Sequence, residues 1–172
     1  VEMLMRWPTD EGMVPPDEFI PLAEGLNLII STTEAALIPS LIDLTEWRKC
    51  RPAFYLSINI SARHSIKGEL VSFITEAIQQ FNLPTNTLKI ELNESAFISE
   101  PEIAIEQMNR LKKLGITSSL DDFGTDYSSL SYLKSLPLDV IKIDRSFISS
   151  IGKVRADKAI IESIIMLAKD LG

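Results

Sequence analysis

The sequence predicts an α/β fold whose parallel sheet curls into a closed or nearly closed barrel. Three observations carry that expectation. Short β-type runs alternate along the chain with helix-period segments. Those helical segments fit crossovers between parallel strands better than hairpins. Each strand also alternates polar with apolar residues, whereas parallel strands covered on both faces read as continuous apolar runs. A barrel reconciles the three. Its outer face packs apolar residues against helices, its inner face carries polar groups, and its active site lies at the carboxyl ends of the strands. The competing arrangement is an antiparallel sheet with one wet face.

The first strand is expected over Val1–Trp7, with Glu2, Leu4 and Arg6 on one face and Met3, Met5 and Trp7 on the other. Helical periods follow at Pro16–Ala23 and Thr32–Arg48. The strand at Ala53–Ser61 sets Tyr55, Ser57, Asn59 and Ser61 against Phe54, Leu56, Ile58 and Ile60. After a helix over Gly68–Phe81, the turn "FNLPTNT" leads into a strand at Thr87–Asn93. That strand sets Lys89, Glu91 and Asn93 against Leu88, Ile90 and Leu92. A helix over Glu100–Leu114 has a first-turn proline in Pro101 and a glycine stop in Gly115. The strand at Ile116–Asp122 sets Thr117, Ser119 and Asp121 against Ile116, Ser118 and Leu120. A short helix at Ser128–Leu133 precedes the strand at Leu138–Asp144, which sets Leu138, Val140, Lys142 and Asp144 against Asp139, Ile141 and Ile143. A helix over Lys158–Leu171 follows.

The 172 residues suffice for one domain with a sizeable core. No apolar run is long enough to span a membrane, and no secretory signal is visible. Cys50 is the only cysteine, which points to a reducing, cytoplasmic compartment. His64 is the only histidine, which argues against a histidine metal site or a Ser-His-Asp triad. The formal net charge of −7 argues against binding long nucleic acid and suits a site that gathers divalent cations.

The stretch "SLDDFGTDYSS" at residues 119–129 crowds Asp121, Asp122 and Asp126 into one turn. With Glu2 and Glu91 at neighbouring strands, these carboxylates repel one another unless something neutralises them, and the Asn59 amide adds a neutral oxygen donor beside them. Hard oxygen donors of this kind suit Mg²⁺ or Mn²⁺, as one or two ions. Such ions polarise a phosphoryl group and activate water. Lys142, on the same face, would orient that water or stabilise developing charge, and the planar fork of Arg6 would grip a phosphate. A different chemistry, a Schiff-base aldolase with Lys142 as nucleophile, is the alternative from the barrel alone.

The motifs "EMLMRW" (Glu2–Trp7), "PPDEFIPLAE" (Pro15–Glu24), "INISA" (Ile58–Ala62), "ELNES" (Glu91–Ser95) and "DDFGTDYSSLSYLKSLPLDVIKIDRSF" (Asp121–Phe147) resemble, in order and spacing, those of the EAL domain family. The resemblance covers essentially the whole chain. It implies a modified (β/α)8 TIM-like barrel and a Mg²⁺- or Mn²⁺-dependent phosphodiesterase that linearises cyclic dimeric GMP (cyclic di-GMP) to pGpG. Glu2, Asn59, Glu91 and Asp121 resemble metal ligands, with Asp121 shared between two metals and Asp122 a ligand of the second. Lys142 resembles the lysine on the nucleophilic water, Arg6 the arginine on a substrate phosphate, and Leu4 a residue packing near the substrate. Glu94 resembles the glutamate that anchors the loop after Asp122. The resemblance further implies a homodimer through the helix after Tyr127, and an upstream sensor or diguanylate cyclase-like (GGDEF-type) domain.

Three positions depart from the family pattern. Asp126 stands where glycine is usual, Asn93 where threonine is usual, and Met3 replaces a smaller residue. Relative to the family, residues 1–172 lack a first antiparallel strand and the later "EGVE"-like and "QGY"-like strands, so the expectation is a partial EAL domain with five of eight barrel strands. These departures keep a second function open: a catalytically weak or inactive domain that binds the nucleotide as a receptor. Plain structural readings stand beside the functional ones. Glu24 and Glu34 read as solvated surface charges, His64 as a surface residue, Cys50 as an unreactive thiol, Met3 and Met5 as packing residues and Trp7 as core. Lys142 reads as an ion-pair partner of Asp144, Asp144 and Arg145 as braces for the next loop, and Ser128 and Ser129 as helix caps.

Overall fold

A computed structural model describes residues 1–61, 70–93, 100–124, 133–149, 151 and 155–171. Among them, five strands form one parallel sheet: β1 (Glu2–Met3), β4 (Leu56–Ile60), β5 (Leu88–Asn93), β6 (Thr117–Phe123) and β7 (Val140–Ile143). Their order in the sheet is β1-β4-β5-β6-β7, so each strand lies beside its predecessor in this series. Five parallel strands with helical connections match the expected portion of a TIM-like barrel.

The register explains the alternation seen in the sequence. Glu2 lies beside Ser57, Ser57 beside Lys89, and Lys89 beside Thr117. One level further along, Asn59 lies beside Glu91, Glu91 beside Ser119, and Ser119 beside Val140. Asn93 lies beside Asp121 at the carboxyl end. Parallel partners share a face, so every one of these residues projects to the same side. The other face supplies the core. Leu56, Ile58, Ile60, Leu88, Ile90, Leu92 and Leu120 are buried in one cluster with helical residues.

The helices follow from their apolar spacing. Helix α1 (Pro16–Gly25) starts on a proline, with Asp17 and Glu18 in the first turn, where the peptide dipoles favour negative charge. Helix α2 (Ile29–Cys50) buries Ile29, Thr33, Leu37, Leu41 and Leu44, one stripe at helical period. Helix α3 (Leu70–Gln80) buries Leu70, Val71, Ile74, Ala77 and Ile78. Helix α4 (Pro101–Lys113) buries Ala104, Gln107, Met108 and Leu111. Its stop is Gly115, at φ +81°, where the amide donates to Lys112 O at 2.9 Å. Helices α5 (Arg145–Ser149) and α6 (Arg155–Leu171) follow β7. Among the described residues, no helix is long and apolar enough to cross a membrane.

Three expectations about elements change. The first strand ends at Met3, because pairing with β4 covers only Glu2 and Met3. The segment beyond it turns into a two-stranded hairpin, β2 (Trp7–Thr9) and β3 (Gly12–Val14), closed by Asp10 and Glu11. Trp7 is not core. It is 44% exposed and meets the edge of Phe19, with ring centroids 6.0 Å apart. The expected helix at Ser128–Leu133 and the residues His64, Glu94, Asp126, Tyr127, Ser128 and Ser129 lie outside the described residues, apart from Leu133.

Candidate active site

Each of the five parallel strands delivers one residue of the expected constellation to the polar face. Glu2 comes from β1, Asn59 from β4, Glu91 from β5, Asp121 from β6 and Lys142 from β7. The positions follow from period-2 alternation, and the crossovers place neighbouring strands side by side.

Glu91 is the most enclosed of them, at 4% exposure. A buried carboxylate requires partners. Ser57, on the next strand, donates its hydroxyl to Glu91 Oε1. The Lys142 ammonium meets Glu91 Oε2 as an ion pair, without a well-aimed hydrogen bond. The same ammonium donates to Asp121 Oδ2 at 3.1 Å. Asp121 Oδ1 accepts from the Asp122 amide at 3.0 Å. On the other flank, Asn59 Nδ2 donates to Glu2 Oε1 at 2.9 Å.

These contacts set the local charge states. Partial burial would lower the Lys142 pKa, but its close contacts with Glu91 and Asp121 outweigh that and hold it above the ordinary lysine value. Lys142 is therefore a firm cation at neutral pH. The Asp122 carboxyl is pushed up by burial first, then by Asp121 and Asp144, against the pull of Lys142. Asp122 also has a backbone φ of +53°, in the left-handed region that aspartate reaches more readily than most residues.

A cleft of about 620 Å³ opens over this face, lined among others by Glu2, Leu4, Arg6, Asn59, Asp121 and Asp122. Leu4 is 53% exposed, and Arg6 is exposed with Nη1 donating to Met5 O at 2.9 Å. Leu4 and Arg6 thus share a mouth with the carboxylates. Glu91 and Lys142 join it through Asp121.

The site departs from the sequence reading in several respects. Lys142 pairs with Glu91 and Asp121 rather than with Asp144. Asp144 instead accepts from the Ser146 amide at 2.8 Å and from its hydroxyl, starting α5. Glu24 and Glu34 are half-buried rather than fully solvated, and Glu24 lines the cleft. Ser57 was on the polar face without a role. Its signal was its place beside Glu2 and one step before Asn59, which puts a hydroxyl within reach of the next strand.

Among the described residues, no three acidic, histidine or cysteine side chains already converge as a metal cage. The physical reason is visible: Lys142 stands between Glu91 and Asp121, and Asn59 takes up Glu2. The donor set nevertheless fits a hard cation, since Glu2, Asn59, Glu91, Asp121 and Asp122 all carry oxygen donors.

The family described as the EAL domain matches residues 1–172. The chain belongs to the EAL domain family. It is 36% identical over 174 residues to the cyclic di-GMP phosphodiesterase NbdA of Pseudomonas aeruginosa PAO1, covering 99% of this chain and 22% of that protein. It is 32% identical over 172 residues to the cyclic di-GMP phosphodiesterase PdeR of Escherichia coli K12, covering 99% of this chain and 26% of that protein. This EAL domain thus spans about a quarter of the length of these curated relatives. Among solved structures, it superposes on the PaMucR phosphodiesterase in complex with c-di-GMP with a TM-score of 0.91 at 32% identity, covering 99% of this chain and 70% of that one.

Proposed function

We propose that this EAL domain is a metal-dependent phosphodiesterase that opens cyclic di-GMP to linear pGpG. The observation that carries the reading is the arrangement of Glu91, Lys142 and Asp121, with Glu2 and Asn59 beside them, under a cleft that also presents Arg6. Relatives and a solved structure of the same family, named for cyclic di-GMP, support the substrate.

Glu2, Asn59, Glu91, Asp121 and Asp122 would hold one or two Mg²⁺ or Mn²⁺ ions, which polarise a phosphoryl group and lower the pKa of water. The remaining work falls to the protein. Arg6 grips a non-bridging phosphate oxygen through its planar fork, and Leu4 packs beside the nucleotide. Lys142 orients the attacking water. As an ammonium at neutral pH, it acts as a hydrogen-bond donor to that water and not as the base. Water oxygen bonds to phosphorus as the bond from phosphorus to the 3′ oxygen breaks; the attacking water gives up one proton to solvent and the leaving oxygen takes one up to become the 3′ hydroxyl, so the step adds one water overall. The role of Glu94, anchoring the loop after Asp122, belongs to the same proposal, as do a cytoplasmic setting, a homodimer and an upstream signalling domain.

The test is to incubate the protein with cyclic di-GMP and Mg²⁺ or Mn²⁺ and to follow pGpG by chromatography. Metal-dependent product is the expected result. Tight binding with no product under either metal would replace the enzyme by a receptor.

A further inference from the structure

Resting on the reading of this site as a metal centre, we infer that Lys142 is its internal counter-cation: ammonium and metal compete for the same oxygens of Glu91 and Asp121. Both carboxylates are already engaged. Ser57 pins Glu91 Oε1, and the Asp122 amide holds Asp121 Oδ1. Their remaining oxygens, Glu91 Oε2 and Asp121 Oδ2, both face the Lys142 Nζ. A divalent ion on these oxygens would meet a like charge at ion-pair distance, and the repulsion drives the ammonium away.

The structure gives Lys142 somewhere to go. Its side chain is 37% exposed, whereas the Glu91 side chain is 6% exposed and held by Ser57. The flexible, wet partner moves and the buried one stays. Metal entry would thereby release Lys142 toward the cleft, where the proposed reaction needs it on water. Without a metal, the same ammonium keeps a buried carboxylate from standing unpaired, which is costly. The device couples loading of the site to placement of a positioning residue.

The experiment compares the full chain with its Lys142→Met variant, which keeps chain length and removes the charge. Mn²⁺ binding is followed by electron paramagnetic resonance, and melting is followed with and without Mg²⁺. The variant should bind Mn²⁺ about tenfold more tightly, the scale of a divalent ion relieved of a neighbouring unit charge. It should melt below wild type without metal and gain more from Mg²⁺. Equal or weaker Mn²⁺ binding by the variant, in a wild type that binds the ion, overturns the counter-cation role and leaves the metal reading standing. Failure of both proteins to bind Mn²⁺ overturns the metal reading as well. Should the variant not fold, the Lys142 ammonium resonance of ¹⁵N-labelled wild type decides. It should shift on saturation with Mg²⁺, and an unmoved resonance rejects the inference.

Discussion

Glu91, buried on β5, is ion-paired to Lys142 on β7, with strand β6 and its Asp121 lying between them. The pairing crosses a strand because both side chains point to the same face and the lysine is long enough to reach over Ser119 and Asp121. It offsets the repulsion between two carboxylates with a shared positive charge, leaving one net negative charge on the three groups. The cost of removing one member depends on burial: Glu91 cannot turn to water, and Lys142 can.

Lys142→Ala should keep nucleotide binding in the presence of Mg²⁺ and lose hydrolysis. Arg6 and Leu4 face the cleft independently of Lys142, whereas the water loses its donor. Calorimetry with cyclic di-GMP measures the first and chromatography the second. Lost binding together with a collapsed melting transition under Mg²⁺ would make Lys142 a structural residue.

Asp121→Asn should lower turnover by at least about a hundredfold, because a weakened metal ligand removes several kcal/mol of transition-state stabilisation. The backbone contact from the Asp122 amide survives in an amide side chain, so the fold should hold. Steady-state kinetics with circular dichroism separate the two effects. Unchanged turnover would remove Asp121 from the mechanism.

The five strands and their polar face were legible because alternation at period two is written directly in the residues. Ser57, Asn59, Glu91, Ser119 and Asp121 all stood on the predicted side. The helices at α1, α2 and α4 were legible from Pro16, the leucine stripe of α2, and the pair Pro101 and Gly115. The hairpin was not, since "WPTDEGMV" carries a proline in a strand and lacks the Asn-Gly or Asp-Gly turn that marks such loops. Helix α5 was missed because five residues are too few for a period, although Asp144 followed by Ser146 is a cap signal. The pairing of Lys142 with Glu91 was beyond reach from sequence spacing, since it depends on which strands become neighbours.

Ser146→Ala should raise the Asp144 pKa toward its ordinary value. The Ser146 hydroxyl, followed by the Ser146 amide, holds that carboxyl below 3.8. A depressed carboxylate adds stability above its unfolded pKa, and that stability disappears as pH falls through the folded value. Losing the hydroxyl bond should therefore lower stability at neutral pH and flatten the acid-side decline below about pH 4, where variant and wild type converge. A carboxyl ¹³C titration of Asp144 reads this directly. An unchanged midpoint would show that the amide alone sets it.

Gly124→Ala should damage both stability and the site. Gly124 ends the segment that carries Asp121 and Asp122, and its φ of +102° lies where L residues are rarely found. A left-handed or more extreme backbone costs an L residue about 1–2 kcal/mol. Space is short as well. An added Cβ would lie 3.1 Å from Phe147 Cε2, so the Phe147 ring on α5 would have to give by a few tenths of an ångström, whereas Ile164 Cδ1 at 3.6 Å is an ordinary contact. The strain has two outlets. If the backbone turns, Asp122 and then Asp121 shift from Lys142 and the cleft; if Phe147 turns, the contact between α5 and the sheet end loosens. Catalysis tolerates small displacements poorly, so the first outlet should appear as lost turnover and the second as a lower melting temperature. Measuring both in the same variant identifies the outlet. A variant that melts and turns over like wild type would show that neither the backbone angle nor the Phe147 contact constrains the end of β6.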